Sequence, residues 1–321
     1  MEQVLIITSL LIFVSVCASK LSTRLGIPAL LVFLFTGMMV SGSDIEFISF
    51  FKNPIVAQKI GILTLVLVLF LGGLETNFSH MRPILTSSII LSTFGVVITA
   101  LIVGFFLQWV TRGYLGFRES LLLGTIVSST DAAAVFSILG ARNMRLKAGI
   151  GPLLESESGS NDVIVYALLL FLLKRLTLPN TSLYTFFPYF FQEMLLGGLG
   201  GVLLGYAMVV AMNKANLRYA GLYLPLLIAM LFFGYAIVNR VHGSGFLAVY
   251  IAAIILSHKD FIHKKSLIET FKGLSWLMQI IMFITFGLLV LPHKLQTIIP
   301  WGIQLSLLLI FIARPIAIFL S

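Results

Sequence analysis

Glu155-Ser156-Glu157-Ser158-Gly159-Ser160-Asn161-Asp162 places three carboxylates and an amide within eight residues, and the chain then runs on as Val163-Ile164-Val165 into a long apolar segment. A second acid stands in Ser129-Thr130-Asp131-Ala132, inside the preceding apolar stretch. Polar groups in hydrocarbon cost several kcal/mol each unless paired or hydrated, so acids in such surroundings are read as functional groups first.

The surroundings are hydrocarbon by composition. Of 321 residues 59% are hydrophobic and only 10% are charged, against roughly 25% charged in an average soluble domain. A soluble core does not bury that much apolar surface, so the bilayer is the solvent and the chain is a polytopic membrane protein. The net charge of +9 then reflects basic cytoplasmic loops rather than affinity for nucleic acid. The single cysteine, Cys17, excludes an internal disulfide. The first segment lacks a basic leader and carries Glu2, so it reads as a retained helix.

A spanning helix takes about 20 apolar residues. Eleven candidate runs are found, near 3–19, 28–42, 57–74, 84–108, 118–140, 152–173, 189–212, 222–240, 244–257, 274–291 and 300–320. The second and ninth are short, which implies tilt or ends buried in protein. Alternate loops hold Lys20 and Arg24; Arg82; Arg142, Arg145 and Lys147; Lys214 and Arg218; and Lys259, Lys264, Lys265 and Lys272. The positive-inside rule places these in the cytoplasm and the N-terminus outside.

The fifth and sixth runs form a hairpin around the basic loop at 142–147. With Pro152 in the first turn of the sixth helix, Asp162 lies about 15 Å along it, near the middle of a hydrocarbon core roughly 30 Å thick. Asp131 lies a similar distance back along the antiparallel partner, so two acids reach the midplane together. Glu155, Ser158 and Asp162 share one helix stripe, and Glu157 and Asn161 share its neighbour. Hard oxygen ligands converging at the midplane suit an alkali cation or a proton.

An internal echo points to a transporter. Gly26-Ile27-Pro28 leads one short apolar run and Gly243-Ser244-Gly245 leads another. Leu69-Phe70-Leu71-Gly72-Gly73-Leu74 faintly matches Ile284-Thr285-Phe286-Gly287-Leu288-Leu289. Seven helices separate the members of each pair, and an odd offset inverts topology, as in inverted-repeat transporters.

The two acidic motifs together resemble those of the monovalent cation:proton antiporter-1 family, the NhaP/NHE-type exchangers. Ser128-Ser129-Thr130-Asp131-Ala132-Ala133-Ala134-Val135-Phe136-Ser137 and Glu157-Ser158-Gly159-Ser160-Asn161-Asp162 look most like its bacterial K⁺/H⁺ branch, and the resemblance runs from Arg24 to Pro315. It implies an all-α, NhaA-like inverted-repeat antiporter fold of thirteen helices with broken fifth and twelfth helices. About eleven are present here, so a C-terminally incomplete chain is expected. The first repeat would cover 1–175; a connecting helix and part of the second would cover 189–321.

The same resemblance implies roles. Asp162 carries either the cation or a proton; Asp131, Thr130 and Ser158 complete the alkali-cation ligands. Asn161 marks an electroneutral exchanger, and Glu157 pairs with Arg314. Many members place proline after the Thr-Asp pair, whereas this chain has Ala132, which leads us to expect a less sharp helix break there. The implied activity is exchange of K⁺ or Na⁺ for H⁺ by a multi-pass homodimer in the cell membrane, with no cofactor and no enzymatic reaction.

Two other classes compete. A proton-uncoupled cation channel would use the same midplane oxygens. An intramembrane protease would use Asp131 and Asp162 as a dyad or Ser244 as a nucleophile, yet no Gly-x-Gly-Asp surrounds either aspartate and no suitably placed histidine follows Ser244. No nucleotide-binding loop occurs.

Overall fold

The structure is a computed structural model that describes residues 2–25, 27–41, 51–76, 82–130, 150–177, 184 and 186–321. Among these residues every regular element is helical. In chain order they are α1 Glu2–Leu25, α2 Ala29–Val40, α3 Pro54–Glu75, α4 Leu85–Val110, α5 Phe117–Ser128, α6 Ile150–Thr177, α7 Phe186–Lys214, α8 Tyr223–Arg240, α9 Gly245–His258 and α10 Lys264–Leu289. The last, α11, opens as Pro292–Leu308, passes through a π-helical turn at Leu309–Ala313 and ends as Arg314–Leu320.

Among the described residues six helical stretches are long and apolar enough to cross a membrane: Pro54–Glu75, Leu85–Val110, Phe187–Lys214, Ala220–Arg240, Lys264–Leu289 and Ile298–Leu320. α2 and α9 are the short apolar helices, at 12 and 14 residues. α6 is long enough, at 28 residues, but carries the acidic motif along its first half. Large apolar side chains such as Phe105, Leu203, Phe233 and Phe311 stand exposed, the surface that lipid covers.

The fifth apolar run extends over 118–140, and the family resemblance implies a broken helix there, less sharp for having Ala132 in place of proline. α5 ends at Ser128, and Ser129 is extended at φ −67, ψ 145. The helix therefore stops without a proline, because its last carbonyls and the residues after it find partners on other helices.

The chain forms two compact units, each discontinuous in sequence: 1–68 with 131–146 and 268–299, and 69–130 with 147–267 and 300–321. In the first unit α2 crosses α10 where both present glycine. A Cβ on Gly287 would meet the Leu34 carbonyl oxygen and stand 2.9 Å from the Gly37 Cα. Leu30, Phe33, Ile280, Ile284 and Leu288 pack around this crossing. α3 joins α10 through Thr64 Oγ1 to the Met278 carbonyl at 3.3 Å and Ser275 Oγ to the Leu67 carbonyl at 3.4 Å.

In the second unit α3 crosses α9 in the same manner. A Cβ on Gly73 would lie 2.6 Å from the Ala253 Cβ and 2.7 Å from the Tyr250 carbonyl oxygen. Leu34 and Gly37 stand six and nine residues after Pro28, the N-cap of α2; Tyr250 and Ala253 stand six and nine residues after Ser244, the N-cap of α9. Ser244 Oγ accepts from the Leu247 N–H at 3.3 Å, so Gly243-Ser244-Gly245 is a helix cap and not a nucleophile turn. On α7, Gly197, Gly201 and Gly205 face Ser244, Ala248 and Ala252 of α9, with hypothetical Cβ distances between 2.8 and 3.1 Å. Lipid tails are as apolar as leucine, so helices associate here through close backbone approach at small residues. Gly197 and Gly201 therefore serve packing within the chain.

Gly72 and Gly73 separate these effects. A Cβ at Gly72 meets nothing within 4 Å, so Gly72→Ala is expected to leave the melting temperature unchanged or raise it. Gly73→Ala overpacks the α3–α9 crossing and is expected to cost about 1–3 kcal/mol. Thermal unfolding of the two variants in detergent checks the contrast.

Candidate functional site

The broken end of α5 sets the geometry. A helix leaves its last four carbonyls without intrahelical partners, and hydrocarbon offers none. Here side chains supply them. Arg314 Nη2 donates to the Ser128 carbonyl at 3.3 Å, and Ser158 Oγ donates to the Thr130 carbonyl at 2.6 Å. A cation at this end also complements the negative pole of the helix dipole.

α6 presents two stripes to that end. Glu157 and Asn161 are buried, at 5% and 0% exposure, whereas Ser158 and Asp162 are half-buried. Asp162 Oδ1 accepts a hydrogen bond from Ser129 Oγ. Ser129 Oγ also lies 3.5 Å from Asn161 Oδ1, and Asn161 Nδ2 donates to Thr130 Oγ1. The Asn161 amide thus fastens α6 to the residues after α5 through its Nδ2. Asp162 lies close to the midpoint of α6.

Glu157 belongs to the supporting layer. Arg314 Nη1 donates to Glu157 Oε1 at 3.2 Å, with the two side chains 19% and 6% exposed. One guanidinium therefore spans the α6 carboxylate and the α5 carbonyl, and the π-helical turn just before Arg314 lies where α11 delivers it. Beneath, Ser88 Oγ of α4 donates to Ser156 Oγ at 2.7 Å. Asp131, the loop at 142–147 and the Glu155 side chain lie outside the described residues.

Thr130, expected as a cation ligand, accepts from Asn161 at its hydroxyl and from Ser158 at its carbonyl. Ser129, which sequence reasoning gave no role, holds Asp162. Only the adjacency of three hydroxyl residues, Ser128-Ser129-Thr130, signalled it. Asp162, Ser158 and Ser129 gather oxygens at one edge of the break, a donor set suited to a hard monovalent cation or a proton.

Removing one partner of a buried pair leaves an uncompensated charge, at about 3–5 kcal/mol. Arg314→Met should therefore destabilise the protein more than Glu157→Gln with Arg314→Met together. A double-mutant cycle read by thermal unfolding is expected to show strong coupling; additive effects would contradict the pair.

Comparison with known proteins agrees with this architecture. The family described as "Sodium/hydrogen exchanger, transmembrane" matches residues 9–321. The K(+)/H(+) antiporter NhaP of Alkalimonas amylolytica is 36% identical over 318 residues, covering 99% of this chain and 54% of that protein. The K(+)/H(+) antiporter NhaP2 of Shewanella baltica is also 36% identical, over 98% of this chain and 54% of that protein. The chain thus spans about half the length of these relatives. The sodium proton antiporter MjNhaP1 from Methanocaldococcus jannaschii, solved at pH 8, superposes with a TM-score of 0.83 at 21% identity, covering 99% of this chain and 78% of that one. This is an all-α polytopic membrane fold of the inverted-repeat antiporter kind, and the chain belongs to the sodium/hydrogen exchanger family of transmembrane proteins.

Proposed function

We propose that this chain exchanges a monovalent cation, K⁺ or Na⁺, for H⁺ across the membrane by alternating access around Asp162. The observation that carries this reading is the half-buried Asp162 carboxylate at the broken end of α5, hydrogen-bonded to Ser129 beside the Ser158 hydroxyl. Cation and proton compete for the same oxygens, and a carboxylate holding neither does not cross the low-dielectric interior. Ser158 and Ser129 complete the cation shell with Asp131 and Thr130. Asn161 carries no charge, and its amide is committed to Thr130. One cation therefore replaces one proton, and exchange is electroneutral. The names of the two relatives at 36% identity make K⁺ the first cation to try.

The two glycine crossings support an inverted repeat. α2 meets α10, and α9 meets α3, at the same distances from their N-caps. α2 and α9, like α3 and α10, are seven helices apart. The first repeat then runs over 1–175 and the connecting helix with part of the second over 189–321. The N-terminus lies outside, and the protein works as a homodimer in the cell membrane.

Proteoliposomes carrying a pH-sensitive dye test the reading. K⁺, Na⁺ and Li⁺ are added in turn to the wild-type chain and to Asp162→Asn and Ser129→Ala. Asp162→Asn should abolish cation-driven proton movement. Ser129→Ala removes a hydrogen bond to a charged group, worth about 1.5–3 kcal/mol, and should raise the apparent KM roughly tenfold with less effect on the maximal rate. Cation flux that persists in Asp162→Asn without moving protons would establish a channel instead.

A further inference from the structure

A carboxyl outside the Asp162 cluster is buried in the second unit. Glu193 stands on α7 seven residues after Phe186, about 10 Å into the helix at 1.5 Å per residue. It is 6% exposed, and its Oε2 is enclosed with no hydrogen-bond partner among the described residues. Its backbone carbonyl accepts from the Ser244 N–H at 2.9 Å, which ties α7 to the cap of α9.

Among the described residues, the titratable groups coupled to it electrostatically are phenols. Tyr166 of α6 and Tyr189, one turn earlier on α7, lie within electrostatic reach of the carboxyl. Tyr166 packs edge-on against Phe246 of α9 at 4.8 Å, and Tyr235 of α8 packs on the same ring at 5.1 Å. Lys174, near the end of α6, sits over the Tyr189 ring, 5.7 Å from its centroid. Among the described residues no lysine, arginine or histidine forms an ion pair with Glu193.

An ionised carboxylate without a partner is far costlier in such packing than the neutral acid, and acids within spanning segments mark proton sites. We infer that Glu193 is a second proton-binding site, distinct from Asp162 and occupied by a proton in this conformation. Tyr166 links the two acids in space, because it follows Asp162 by one turn on α6. The second site therefore lies toward the side of the membrane on which α6 ends. Loss of its proton puts a charge among α6, α7 and α9, and exchange falls at alkaline pH; this consequence rests on the exchange reading, whereas proton binding itself does not.

Infrared difference spectra between neutral and alkaline pH test the binding site, using the full chain in lipid nanodiscs. A carbonyl band of a neutral carboxylic acid should disappear at alkaline pH in the wild type and in Asp162→Asn. It should be absent from Glu193→Gln and shifted in Glu193→Asp, which retains a carboxyl and decides the matter if Glu193→Gln does not fold. Bands unchanged in both Glu193 variants would overturn the site. In proteoliposomes Glu193→Gln should keep cation-driven proton movement and lose its alkaline decline. An alkaline limb identical to wild type would overturn the link to exchange. The infrared reading needs no transport, so its failure and that of the exchange reading are told apart.

Discussion

A helix that stops inside a bilayer must find partners for its last carbonyls, and this constraint organises the second unit. α5 stops at Ser128. Arg314 takes the Ser128 carbonyl and Ser158 takes the Thr130 carbonyl. The residues that satisfy the broken end are therefore the same ones that surround Asp162. A continuous α5 would fold its carbonyls back into the helix and leave Arg314 and Ser158 without these acceptors. The site exists because the helix is broken, and the break persists because α6 and α11 hold it.

The charges follow from the same economy of partners. Glu157 is almost wholly enclosed, and Arg314 neutralises it while also serving α5. One guanidinium thus serves two acceptors, the Glu157 carboxylate and the Ser128 carbonyl. Asp162 Oδ1 accepts a hydrogen bond from the Ser129 hydroxyl.

Close packing elsewhere is made by absent side chains. Gly37 against Gly287, Gly73 against Ala253, and Gly197, Gly201 and Gly205 against α9 all bring backbone to backbone. In water such a surface would be a poor core; in lipid, where apolar burial offers little, contact distance is what distinguishes one helix pair from another. The crossing recurs at equal distances from Pro28 and Ser244.

The sequence by itself determined the membrane class, the order of the helices, the two short ones, and the acidic motif in an apolar helix, because hydropathy and helical period are local properties of the chain. The pairing of Glu157 with Arg314 was legible only through resemblance, since 157 positions separate them and no local period joins them. Tertiary structure alone decided that α5 ends at Ser128 without a proline, since that depends on donors arriving from α6 and α11. It also decided that Ser129 holds Asp162, because helical spacing ceases to assign faces once the chain turns extended. Glu193 escaped the sequence for a related reason: a lone acid in an apolar run has no pattern, and its isolation among phenols and apolar rings arises only when α6, α7, α8 and α9 assemble.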